Sequence, residues 1–157
     1  MSVLLVAAAV LPHLTPGGWG KVRLGMTQAQ VAKSLGAPLR GEPIEDEKIC
    51  VEKVSRRFPD MWFMFEEGKL TRISVGEKSR VTTPRGIRAG STAAAVRKAY
   101  GSTLHAEWHK YLDRPAEYLT FWTVPKKRGV VFETDRRRRV QTIHAGTQSV
   151  QYVEGCA

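Results

Sequence analysis

Acidic residues, cysteine and long apolar runs are all scarce in this chain, and each shortage excludes something. Only 15 Asp and Glu stand against 25 Lys and Arg, a formal net charge of +10. The imbalance is uneven: residues 1–78 hold 11 basic and 9 acidic side chains, whereas residues 79–157 hold 14 and 6. A field of that sign favours an acidic protein surface, an anionic envelope polymer or nucleic acid as partner. No apolar run is longer than Val3–Leu11, nine residues, and about 20 are needed for a helix to cross a bilayer. No integral membrane span is therefore expected. Equally absent are a Gly-x-Ser-x-Gly elbow, a Gly-rich phosphate loop and a His-Glu-x-x-His pair. The expectation is a protein that is not an enzyme, with no catalytic residue, no cofactor and no metal.

There are two cysteines, Cys50 and Cys156. Two well-separated cysteines in an exported protein suggest one bridge, whereas in the cytoplasm they would be unrelated thiols. The bridge would close a loop worth up to about 4.7 kcal/mol in the chain-entropy model and would stop the C-terminus from fraying. Export is suggested by the Val3–Leu11 run followed by Pro12, which suits a signal-peptide core although no Lys or Arg precedes it. Residues 1–19 read as signal peptide and leader, with Pro12–Gly20 as loop, and the expected location is periplasmic or secreted.

What the chain does contain, at 42% apolar and 25% charged residues, is globular composition and one pattern used twice. Val22-Arg23-Leu24-Gly25-Met26-Thr27, with Val31 and Leu35-Gly36, returns about 65 residues later as Ile87-Arg88-Ala89-Gly90-Ser91-Thr92, with Val96 and Tyr100-Gly101. Each copy offers a Thr as helix N-cap and a Gly as helix stop. A helix of about two turns is expected over 27–36 and another over 92–101, neither stable without packing. Strands are expected at Ile49–Val51, Trp62–Phe65 and Leu70–Val75, then at Glu117–Val124, Gly129–Glu133 and Val140–His144, with a final strand or edge segment at Val150–Cys156. Gly76–Arg85 reads as a linker. These elements predict an α+β fold of two tandem helix-plus-antiparallel-meander repeats, residues 20–78 and 79–157, with helices on one face of a sheet. Met61–Phe65 is apolar on both alternating faces, so its second face is either a docking surface or core.

The Gly-x-Thr-x-x-x-Val-x-x-x-apolar-Gly opening, followed by Phe65-x-x-Gly68-x-Leu70, resembles the repeat of the β-lactamase-inhibitor-protein-like superfamily. It is also similar to the small lipoproteins of outer-membrane assembly. The resemblance covers residues 20–76 and again 85–146, and implies a secreted or periplasmic protein that binds through a sheet face, without cofactor or catalysis. The chain departs from that pattern in having one cysteine pair across the repeats and a strongly basic charge.

Three groups of residues are candidates for function. Lys126, Lys127 and Arg128, and Arg136, Arg137, Arg138 and Arg139, fall in two hairpin connections of the second half; brought together, they would make one positive patch. Tyr118 and Trp122 share one face of the adjoining strand and could stack on bases or rings. His105 and His109 have the four-residue spacing of a helical metal pair but lie beyond the helix stop at Gly101. A hydrolase built on His105, His109 or His144 is the weakest alternative. The leading expectation is an exported, non-enzymatic binding protein that meets an acidic protein surface or anionic envelope polymer through its sheet face and basic loops. A basic nucleic-acid-binding module in the cytoplasm is the alternative.

Overall fold

The computed structural model describes residues 10–41 and 49–156; the Val3–Leu11 run lies mostly outside them. Its elements are β1 (Leu14–Thr15), β2 (Gly18–Trp19), β3 (Val22–Arg23), α1 (Gln28–Leu35), β4 (Leu39–Arg40), β5 (Cys50–Ser55), β6 (Phe58–Glu66), β7 (Lys69–Val75), α2 (Ala93–Tyr100), β8 (His105–Trp108), β9 (Glu117–Val124), β10 (Arg128–Thr134) and β11 (Val140–Gly146). Short 3-10 turns cover Gly101–Thr103 and Gln148–Gln151.

The expected α+β pair of repeats is corrected by this architecture. The chain is mostly β, with 41% of the described residues in strands against 16% helical. One antiparallel sheet of eight strands runs β4-β5-β6-β7-β11-β10-β9-β8, beside a small sheet β1-β2-β3. The physical reason is the seam between β7 and β11. Ile143 pairs with Val75 and Ala145 with Ile73, so the strands of both halves share one hydrogen-bonded ladder and one core. The repeated motif sets the ends of two short helices and does not build two packed units.

Local chemistry explains those ends. Thr27 caps α1 by accepting from the Gln30 amide, and the Gln30 side chain returns a bond to the Thr27 amide, a reciprocal capping box. Gly36 then stops α1 at φ 65°, a left-handed conformation that costs glycine nothing. Thr92 caps α2 through the Ala95 amide at 3.0 Å. Between β6 and β7, Glu67 and Gly68 both have positive φ, as a two-residue hairpin turn requires.

Alternation along the strands sorts side chains onto two faces. On one face Val51, Phe63, Phe65, Ile73, Ile143, Phe132 and Leu119 join Val31 and Leu35 of α1 and Val96 and Tyr100 of α2 in a continuous core. Leu14 and Trp19 belong to that core as well, so residues expected as loop form β1 and β2. Val81 and Thr83, in the expected linker, are buried too. Among the described residues no α-helix packs on the other face. The final segment crosses it instead: Val150 is buried, and the stretch expected as a closing strand is the 3-10 turn 148–151 followed by turns to Cys156. Met64, on this second face, is fully buried.

Candidate functional site: a groove on the helix-free face

The C-terminal segment is a strap, held by Arg72, by a disulfide and, at Glu154, by the Tyr111 hydroxyl. Arg72 of β7 donates to the Ser149 and Tyr152 carbonyls at 2.9 Å each and to the Glu52 carboxylate at 2.7 Å. The second fastening is the disulfide between Cys50 and Cys156, with the Cα atoms 5.5 Å apart. The 3-10 turn of the strap packs on β7, β10 and β11 and the strap ends at Cys50 of β5, and between its outer side and β8–β11 lies a groove of about 340 Å³. That size lies at the lower end of small-ligand sites. Tyr118, Thr120, Val131, Glu133 and His144 form its floor, Val150–Val153 of the strap one wall, and Glu107, Trp108 and Lys110 the rest.

A chain of hydrogen bonds crosses the sheet beneath this groove. Ser74 Oγ lies 2.7 Å from His144 Nδ1. His144 Nε2 faces Glu133 Oε2 at 3.3 Å, and His109 Nε2 faces Glu133 Oε1 at 2.8 Å. Strand register puts these groups in line, since Ser74 pairs with His144 and Glu133 with Tyr118. His109 Nδ1 accepts from the Tyr111 and Leu112 amides at 3.0 Å. An Nδ1 that accepts has no proton, so in this network Nε2 carries it and donates to Glu133. The ionised Glu133 carboxylate can only accept, so His144 Nε2 donates to it, and in the neutral ring Nδ1 is then left to accept from the Ser74 hydroxyl.

Titration follows from this packing. Burial would raise the Glu133 carboxyl, but hydrogen bonds from His144 and His109 outweigh it and hold the group below its ordinary value. Burial depresses His144 below 6.5, against the opposing pull of its bond to Glu133. Burial raises the Tyr118 hydroxyl, and the nearby Glu133 charge adds to the effect. Ser74, His144 and Glu133 follow one another as a nucleophile, base and acid would, yet Ser74 is buried and does not line the groove. Its hydroxyl orients an imidazole. Among the described residues no group of three or more His, Cys, Asp or Glu side chains is arranged to hold a metal ion, and none of the helices is long and apolar enough to cross a membrane.

The two basic groups are not brought together. Lys126, Lys127 and Arg128 sit where β9 turns into β10, and Arg136, Arg137, Arg138 and Arg139 where β10 turns into β11. The turns lie at opposite ends of β10, roughly 20 Å apart by strand rise. Arg139 is partly structural: its guanidinium donates to the Gly90 carbonyl at 2.9 Å, and the neighbouring Arg138 carbonyl accepts from Ala93 at the start of α2. Tyr118 and Trp122 do share the helix-free face. Tyr118 stacks on His109 with centroids 4.6 Å apart, and Trp122 occupies the space a Cβ on Gly129 would need. His105 and His109 part company: His105 is exposed on edge strand β8, and the buried His109 ring lies against Glu133.

Glu133 and Ser74 were not singled out from sequence. The available signal was a carboxylate inside the apolar run Val130-Val131-Phe132-Glu133, in phase with Val131 and so on the opposite face from Phe132. No family model, curated protein or solved structure matches the chain.

Proposed function

We propose that the protein is an exported, non-enzymatic binding protein for an extended anionic partner, an acidic protein segment or an anionic envelope polymer. The observation that carries this is the layout of β9 and β10. A basic turn stands at each end, and the face bearing Tyr118, Thr120 and Trp122 runs between them. Among the described residues Lys126, Lys127, Arg128, Arg137 and Arg138 have no carboxylate within ion-pair distance, and Arg136 reaches Asp113 only at 3.8 Å. Their charge is therefore available to a partner. The Cys50–Cys156 disulfide agrees with an oxidising compartment, and the likeness of the Thr-capped helix starts to those of the inhibitor-like superfamily points the same way.

Calorimetry with poly-glutamate as the probe tests the reading. The wild type binds at low salt, and affinity falls as salt screens the contact. Arg136→Glu with Arg137→Glu and Arg138→Glu weakens binding at least tenfold, as does Lys126→Glu with Lys127→Glu at the other end. Unchanged affinity in both variants overturns the assignment of the turns. Selective binding of single-stranded DNA over poly-glutamate, with a steeper salt slope, would transfer the surface to nucleic acid. The intact mass of the protein recovered from its host without reductant reports leader removal and the disulfide together; a full-length, reduced chain would defeat the export reading.

A further inference from the structure

We propose that the groove over β8–β11 is a binding site for an organic cation, a primary ammonium or guanidinium group carried by a small amine or by a lysine or arginine side chain. This goes beyond the proposed function and does not rest on it: Tyr118 and Thr120 belong to both surfaces, but the cation site is centred on Glu133 and the proposed function on the basic turns.

The centre of the site is the Glu133 carboxylate, part buried and facing the groove. Each of its oxygens receives one N–H, from His109 and from His144. A carboxylate oxygen accepts more than one bond, so both keep capacity toward a ligand. Neither imidazole cancels the negative charge while its Nδ1 is held as an acceptor, by two backbone amides on His109 and by the Ser74 hydroxyl on His144. Among the described residues no Lys or Arg is within ion-pair distance of Glu133. The nearby guanidinium of Arg72 is engaged by Glu52 and by two strap carbonyls, and Lys110 at the rim rests over the Tyr111 ring, 5.6 Å from its centroid.

A carboxylate fixed in a partly dry site attracts a cation more strongly than one in water. The walls add to this, since Tyr118 and Tyr152 line the same space and aromatic faces attract ammonium and guanidinium groups. The burial that depresses His144 helps to keep the floor from becoming positive near neutral pH.

The test is amide NMR on the full oxidised chain, titrated with agmatine, Nα-acetyl-arginine amide, Nα-acetyl-citrulline amide and zinc chloride. The two arginine-type cations should shift the Tyr118, Glu133, His144 and Gln151 amides, whereas uncharged citrulline should not. Tighter binding of agmatine assigns the site to a free amine, and equal or tighter binding of the amidated residue assigns it to a side chain of a partner. Glu133→Gln should weaken both cations at least tenfold. Should that variant unfold, Glu107→Gln on the exposed edge strand β8, which shares the face of Tyr118 and lines the groove, leaves the hydrogen-bonded row intact and should weaken them several-fold. The proposal fails if the cations shift none of these amides, if citrulline binds as well, if only zinc binds, or if neither variant changes affinity.

Discussion

The two faces of the eight-stranded sheet are built on different principles. Phe63, Phe65, Phe132, Leu119 and Ile143 on the helix-covered face have no measurable exposure and are held by packing and the removal of apolar surface from water, a force without direction. Opposite them, the Ser74–His144–Glu133–His109 row and the Glu52–Arg72 pair are held by directed bonds, and the strap above them by a covalent bond. An apolar face can only be covered. A face of oriented polar groups with space above it can take a ligand, because the cost of desolvating those groups was already met during folding.

The largest expected effect comes from breaking the helix-covered face. Phe132→Ala, which empties a site shared with Tyr100 at a centroid distance of 5.1 Å, should cost about 4 kcal/mol in urea denaturation. A loss under about 1 kcal/mol would mean that the two faces do not differ in this way. Next is the strap. Cys156→Ser removes a bridge with a sequence separation of 106 and should cost about 3 kcal/mol. Amide exchange should quicken over 148–156, and the core of β10 and β11 should keep its protection. Uniform loss of protection would show that the strap belongs to the global core.

The smallest effect is titration, and it sharpens the contrast. His144 is depressed in the folded state relative to its ordinary 6.5, so the unfolded chain takes up its proton first. Stability from this group is present above about pH 6.5 and declines as pH falls from there toward the folded value. Glu133, also depressed, adds a second loss below 4.5. Melting temperature should therefore fall on acidification, and His144→Gln should flatten the upper part of that slope. An unchanged slope would remove His144 as its source.

Much of the scaffold was legible because it depends on neighbours in sequence. Thr27 and Thr92 as caps, Gly36 as a stop and the Glu66–Lys69 turn each follow from the conformational preferences of a few adjacent residues. The cysteine pairing was legible from the count of two once export was assumed. The network was not, because its members are 70 and 24 residues apart and meet only once register is set. Likewise the seven basic residues could be assigned to two hairpin turns but not to opposite ends of one strand.

Composition and local patterning thus determined by themselves where the two helices start and stop, where six of the eleven described strands lie and that the surface is basic, since these rest on short-range sterics, hydrogen bonding and charge. Tertiary structure alone decided that β7 and β11 join both halves in one sheet, that residues 14–19 enter the core, and that a disulfide-anchored strap leaves a groove floored by Glu133. Those outcomes depend on strand pairing between distant segments. A slip of one residue would send every one of these side chains to the other face.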